Sequence, residues 1–281
     1  MKRILTIQDI SCIGKCSLTV ALPIISAMGV ETAILPTAVL STHTMFKGFT
    51  FRDLTQDITP ISNHWKTQNI NFDAIYTGYL GSYEQIDLVE KIFSEFTTPT
   101  TETANKTLKF VDPCMADNGK LYSGFTNEFA VRMAKLAGKA DIIVPNLTEA
   151  SFLLDIPYKE SGYDEKYIKD ILLRLADLGT KKVVVKGVCL NENELGIMSY
   201  DSETKEFSSY FHQKLSTSFH GTGDIYASVC MGALMQGKTF NQALKLAADF
   251  VVRSIKATLT HSDHNSYGVD FETEMPWLLN Q

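Results

Sequence analysis

Up to residue 187, short β-branched runs alternate with helix-patterned segments, and that alternation leaves few folds open to the chain. The runs are Arg3–Gln8, Thr32–Pro36, Asp73–Gly78, Leu108–Asp112, Asp141–Pro145 and Lys181–Lys186. Helical spacing of apolar residues marks Ser17–Met28, Arg52–Gln68, Ser82–Phe96, Asn127–Ala137, Leu147–Leu154 and Glu165–Leu178. Strands alternating with amphipathic helices build βαβ units, hence an α/β fold with a mostly parallel sheet and helices on both faces. Ligands gather outside the carboxyl ends of the strands in such sheets. The unusual residues fall there: Gln8-Asp9, Thr77-Gly78-Tyr79, Asp112-Pro113, Pro145-Asn146 and Lys186-Gly187.

After residue 187 the rhythm changes. Glu194–Ser199 and Glu206–Phe211 read as a hairpin around the polar turn Tyr200–Lys205, followed by helices over Thr222–Met235 and Asn241–Ala257 and a short one over Phe271–Leu279. The Thr-rich stretch Thr97–Thr107 reads as a mobile surface loop rather than a linker, so residues 1–281 are expected to form one domain. The 26 basic against 32 acidic side chains leave a net charge of −6, which argues against a nucleic-acid or anionic-membrane partner. No apolar run approaches the roughly 18 residues that a membrane span needs. Five scattered cysteines and a start that runs straight into a strand predict a reduced, cytoplasmic protein without a leader.

Phe219-His220-Gly221-Thr222-Gly223-Asp224 is the most telling window. A glycine-rich turn that opens a helix lets backbone N–H groups and the helix dipole converge on an anion. Asp224, in the first helical turn, could take the proton of a hydroxyl attacking a phosphoryl group; the competing reading is a helix cap at Thr222 or Asp224. Asp112 and Asp117, after a strand, offer hard oxygens suited to Mg²⁺, or simply a turn. Asn146 and Glu149 resemble an N-cap with its N3 acid, a role compatible with holding a metal through water. Lys186 would put an ammonium at the strand end, either against a polyphosphate or in solvent. His43, in Ser41–Phe46, reads more readily as a hydrogen-bonded structural histidine than as a catalyst, while its neighbours suit a flat, partly polar ligand. Gly14-Lys15 is not a P-loop, because Asp9 and Cys16 stand where Gly and Ser/Thr are required. Gly221-Thr222-Gly223 is not a dinucleotide fingerprint, since Tyr226 replaces its last glycine. Cys12 and Cys16 lack a second pair to make a zinc site, and His261 and His264 flanking Asp263 give only a weak metal option.

In order along the chain, Leu5–Asp9, Gly14, Leu40–Thr44, Thr77–Gly81, Asp112–Met115, Pro145–Glu149, Val184–Lys186 and Gly221–Asp224 resemble the ribokinase-type small-molecule kinases. Within them, the Ser-x-His-Thr and Gly-Tyr-Leu-Gly windows resemble the pyridoxal (vitamin B6) kinases. The resemblance implies a three-layer α/β/α sandwich that transfers the γ-phosphoryl group of ATP, with Mg²⁺, to the 5′-hydroxymethyl of pyridoxal, pyridoxine or pyridoxamine. It implies Asp224 as general base and the amides of Gly221, Thr222 and Gly223 as anion hole. Asp112, Asn146 and Glu149 would hold Mg²⁺ and phosphates through water, with Asp112 and Glu149 as the metal carboxylates. Lys186 and the stretch Ser209, Tyr210, Phe211 and His212 would line the nucleotide. Thr44 and Met45 would touch the B6 ring, Tyr79 would border the site, and a homodimer is expected. Asp9 departs from the family's usual serine and is similar to the Ser-Asp of hydroxymethylpyrimidine kinases, which keeps a thiamine-pathway kinase open. A binding protein without turnover is the alternative from another class.

Overall fold

The computed structural model describes residues 1–97, 106–217 and 219–281. The chain opens with β1 (Arg3–Ser11), α1 (Leu18–Ala27), β2 (Glu31–Leu40), β3 (Phe51–Asp53), α2 (Thr55–Thr67) and β4 (Ala74–Thr77). Then come α3 (Tyr83–Glu95), β5 (Leu108–Val111), the short strands β6 (Ala116–Asp117) and β7 (Lys120–Leu121), and α4 (Asn127–Ala137). They are followed by β8 (Ile142–Ile143), α5 (Leu147–Leu153), α6 (Glu165–Ala176) and β9 (Lys182–Val188). The chain closes with β10 (Glu194–Asp201), β11 (Glu206–Gln213), α7 (Thr222–Met235), α8 (Phe240–Thr258), a 3₁₀ turn over Phe271–Glu274 and α9 (Met275–Leu278). The stretch read as a surface loop, Thr97–Thr107, lies largely outside the described residues.

Local chemistry sets several helix starts. Asn146 opens α5 and Thr239 opens α8 through full capping boxes with Glu149 and Gln242, and Asp164 caps α6 by accepting the Tyr167 N–H. Two expectations are corrected. Arg52 belongs to the edge strand β3 rather than to a helix: β2 runs on past Pro36 to Leu40 and offers Phe51–Asp53 an antiparallel partner. Helix α2 begins only at Thr55, whose N–H donates to Asp53 Oδ1 at 2.7 Å. Asp117 does not join Asp112, because Asn118 and Gly119, both at positive φ, turn a two-residue hairpin that carries Asp117 to the surface.

The chain divides into two compact units. The first comprises Met1–Gly81, Ser94–Thr107 and Ser216–Gln281. Its strands are ordered β4-β1-β2-β3, with β1 parallel to β2 and β4 and β3 antiparallel at the edge. Ile4 through Gln8 are fully buried on both faces of β1, the signature of a parallel strand covered by helices on each side. Helix α1 packs on β1 and β2 and in turn against α7, which packs on α8.

The second unit comprises Ser82–Phe93 and Leu108–Leu215. Its strands are ordered β5-β8-β9-β10-β11; the first three are parallel, and β10 and β11 complete the sheet as the expected antiparallel hairpin. Val183, Val184 and Val185 on β9 are fully buried, with α5 and α6 packed on that strand. Among the described residues, no helix is long and apolar enough to cross a membrane, and none of the five cysteines is in a disulfide.

Candidate active site

In the first unit, the start of α7 is built for a close approach. Gly221 is its N-cap at φ +78°, and a Cβ there would collide with the Lys15 carbonyl oxygen. As glycine, it has no side chain to close the first-turn amides. Thr222 turns its hydroxyl back to the Phe219 carbonyl (3.0 Å). Asp224 Oδ2 accepts the N–H of Ser17, at the start of α1, at 3.0 Å. The Asp224 carboxylate is therefore oriented by a backbone donor from the β1–α1 loop.

Asp9 lies in the same neighbourhood, buried at the end of β1, where the β1–β2 register slips between Gln8 and Ile10. Such irregularities re-aim a side chain. Asp9 accepts the Ser11 hydroxyl at 3.1 Å, and burial pushes its carboxyl above the ordinary range against the pull of the Ser17 and Ser11 hydroxyls. The charge of Asp9 reaches Tyr79, whose phenol is pushed up to about 12 by burial and by that carboxylate. Cys16 sits against Asp224 and Asp9; burial first, then these two charges, push its thiol up and keep it in the unreactive form.

The loop after β2 reaches the same helix start. His43 N–H donates to Ile13 O at 2.6 Å, and the His43 and His220 rings lie 4.9 Å apart. His43 accepts the Met45 N–H at Nδ1 (3.2 Å), the hydrogen-bonded structural histidine that the sequence predicts. Burial and His220 lower its pKa to about 4, so it is neutral at physiological pH. Thr44 and Met45 are exposed on this loop.

In the second unit, Asp112 follows β5 and is fully buried, and Lys186 Nζ donates to both its carboxylate oxygens, at 2.9 and 2.8 Å. Lys186 is thus no solvated strand-end lysine; its side chain is 13% exposed. Burial pulls its pKa down, but the facing Asp112 and Glu149 carboxylates outweigh this and hold it above the ordinary lysine range. Glu149 accepts the Asn146 N–H at 2.7 Å and the Met115 N–H at 3.4 Å, while Asn146 accepts the Glu149 N–H at 2.8 Å. The capping role is therefore real. Asn146 also donates to Ala116 O at 3.0 Å and bridges to Lys186. Burial, then the charge of Asp112, push the Glu149 carboxyl up to about 8. On the β9-β10-β11 register, Lys186 faces Ile197 and Ile197 faces Tyr210, which sets Tyr210 about 10 Å across the sheet from Lys186. Ser209, Phe211 and His212 flank it on β11, with the Tyr210 and His212 rings at 5.0 Å.

Ligand atoms of Asp112, Cys114 and Glu149 lie within 4.8 Å of one another, and among the described residues this is the one group of three that could hold a metal ion. Its two carboxylates suit a hard cation. Lys186 already engages both Asp112 oxygens and backbone N–H groups engage both Glu149 oxygens, so the set fits Mg²⁺ held through its water rather than by direct coordination. His261 and His264 join no such cluster among the described residues. Ser17 is the residue that sequence reasoning passed over, because it acts through its backbone; Cys114 lies beside the metal carboxylates, as its place after Asp112 suggests.

An acid in the first turn of a glycine-opened helix, at the end of a parallel sheet, is the architecture of the ribokinase-like small-molecule kinases. More narrowly, residues 22–269 match the model of the phosphomethylpyrimidine kinase family, and the chain belongs to it. It is similar to a protein from Bacteroides thetaiotaomicron, provisionally assigned as a phosphomethylpyrimidine kinase and crystallised with pyridoxal. The two share 38% identity and a TM-score of 0.92 over 99% of this chain and 95% of that one. A pyridoxal kinase from Lactobacillus plantarum is 28% identical, with a TM-score of 0.89 over 100% of this chain and 97% of that one. The pyridoxal kinase PdxY of Histophilus somni is 25% identical over 100% of this chain and 96% of its own length. The resemblance to pyridoxal kinases expected from the motifs is thus met among its relatives.

Proposed function

We propose that the protein phosphorylates the 5′-hydroxymethyl group of B6 vitamers with ATP. The observation that carries this reading is the Asp224 carboxylate, in the first turn of the glycine-opened helix α7 and oriented by the Ser17 N–H. A carboxylate so held can accept the hydroxymethyl proton as the oxygen attacks the γ-phosphorus and the bond to the β–γ bridging oxygen breaks to release ADP, and the Gly221, Thr222 and Gly223 amides receive the charge that develops on the phosphoryl oxygens. Asp9, Thr44, Met45 and Tyr79 take the ring. Lys186 and Ser209–His212 take the nucleotide, and Asp112, Asn146 and Glu149 hold phosphates and Mg²⁺ through water. The ion, when bound, neutralises phosphate charge. Pyridoxal kinases among the relatives support the vitamer as acceptor. Five cysteines held as thiols support a reducing, cytoplasmic setting; a homodimer rests on the family resemblance alone.

Asp9 favours a second reading, phosphorylation of a hydroxymethylpyrimidine, which the family description also supports. The test is ATP consumption with Mg²⁺ against pyridoxal, pyridoxine, pyridoxamine, hydroxymethylpyrimidine and ribose, with products identified by mass. Phosphorylated B6 vitamers with little pyrimidine product bear the proposal out. Dominant pyrimidine phosphorylation transfers the protein to the second reading, and binding of ATP and pyridoxal without product makes it a binding protein.

A further inference from the structure

The β1–α1 loop carries two non-glycine residues in the left-handed region, Lys15 at φ +45° and Ser17 at φ +50°. A non-glycine residue there is strained and persists only where its surroundings over-determine it. At Lys15 the surroundings are dense. Its ammonium lies 2.6 Å from Asp270 Oδ1 and 3.0 Å from Glu272 Oε2, with Nζ 6.0 Å from the centre of the Phe271 ring. Asp270 is itself anchored, donating its backbone N–H to the buried Thr258 hydroxyl at 2.7 Å. Gly268 packs so closely that a Cβ there would stand 2.6 Å from Lys15 Cβ, and on the other side the Lys15 carbonyl abuts Gly221. Two residues on, the Ser17 N–H meets Asp224.

We infer that Lys15 is a positioning residue for phosphoryl transfer: its ion pairs with Asp270 and Glu272 hold the loop in the strained turn that aims the Ser17 N–H at Asp224 and seats Gly221 at the start of α7. The charge of Lys15 is answered by two carboxylates of the C-terminal segment, so the lysine works as a clamp on the loop and not as a phosphate ligand. The role rests on the reading of Asp224 as general base.

The test compares Lys15→Met, which keeps most of the packing and removes the charge, with Lys15→Arg, Glu272→Gln and Asp224→Asn. It reads kcat, KM for ATP and for pyridoxal, and amide hydrogen exchange over residues 12–17. Displacement of a catalytic group by about 1 Å costs up to ~100-fold, so Lys15→Met should lower kcat by ~10- to 100-fold with both KM values within about threefold. Exchange over the loop should accelerate by ~10-fold, and Lys15→Arg should restore most of both. Glu272→Gln, at the more exposed partner, should show the same pattern in milder form and carries the test if Lys15→Met does not fold. Unchanged kcat and exchange in the charge-removing variants would overturn the clamp, as would a rise in the KM for ATP at constant kcat, which makes Lys15 a nucleotide ligand. Near-normal turnover by Asp224→Asn instead removes the base assignment, while loop exchange still reports on the clamp.

Discussion

Removing the Lys186 ammonium should leave a deeply buried charge imbalance, and its size can be worked from the geometry. Asp112 is fully buried and Glu149 is 2% exposed. At the observed 2.8–2.9 Å and an effective dielectric of ~20, the Lys186–Asp112 attraction alone is on the order of 5 kcal/mol. Breaking one side of such a pair typically costs about 3–5 kcal/mol, because the abandoned carboxylate has neither water nor counter-charge. Lys186→Met should therefore lower Tm by about 10 °C at pH 8, measured by circular dichroism without nucleotide or Mg²⁺. The pH dependence has a definite sign. In the variant both carboxyls bind protons more tightly folded than unfolded, so the penalty is greatest above the folded value, about 8 for Glu149 even with the ammonium in place, and shrinks as the pH falls from there toward the unfolded carboxyl range of about 4. The double variant Asp112→Asn/Lys186→Met should recover much of the loss, with a coupling of at least ~2 kcal/mol. A Lys186→Met protein within about 0.5 kcal/mol of wild type at pH 8, or a coupling near zero, would refute the buried-pair account.

Asp224→Asn should lower kcat by ~10²–10⁴-fold with little change in the KM for ATP, in steady-state assays on whichever acceptor the panel identifies. Asp9→Ser should shift the preference among vitamers and weaken any pyrimidine activity, read as kcat/KM ratios; unchanged ratios would make Asp9 a turn residue only. His43, held neutral with a pKa of about 4, favours folding at pH values above its unfolded value near 6.5, and that stability should drain away as the pH falls from there through 4. Allowing for the ring's partial exposure, the effect is about 1 kcal/mol, and denaturant titrations of His43→Gln should show a correspondingly flatter pH profile.

The parallel strands were legible because their signal is local: Val183-Val184-Val185 and Leu5-Thr6-Ile7 can only be buried on both faces of a sheet. Phe51–Asp53 carried no such signal, being three residues whose strand conformation comes from the exposed edge of β2. The site divides in the same way. Glycines and acids at strand ends announce themselves, as at Gly221-Thr222-Gly223-Asp224. The Lys186–Asp112 pair joins residues 74 apart, and no spacing rule relates them before the β5-β8-β9 register exists. Ser17 is more hidden still, since its contribution is a main-chain N–H made available by an unusual φ.

The capping box at α5 ties two fates together. Glu149 fastens the first turn of that helix through the Asn146 N–H and also stands in the buried charge cluster. A lineage that gave up phosphoryl transfer would gain nothing by discarding this carboxylate, since its loss would loosen the helix start by about 0.5–2 kcal/mol. Glu149 can therefore outlast the activity it served, and Asp224, which holds the N–H of Ser17 at the N-cap of α1, is tied in the same way to a second helix start.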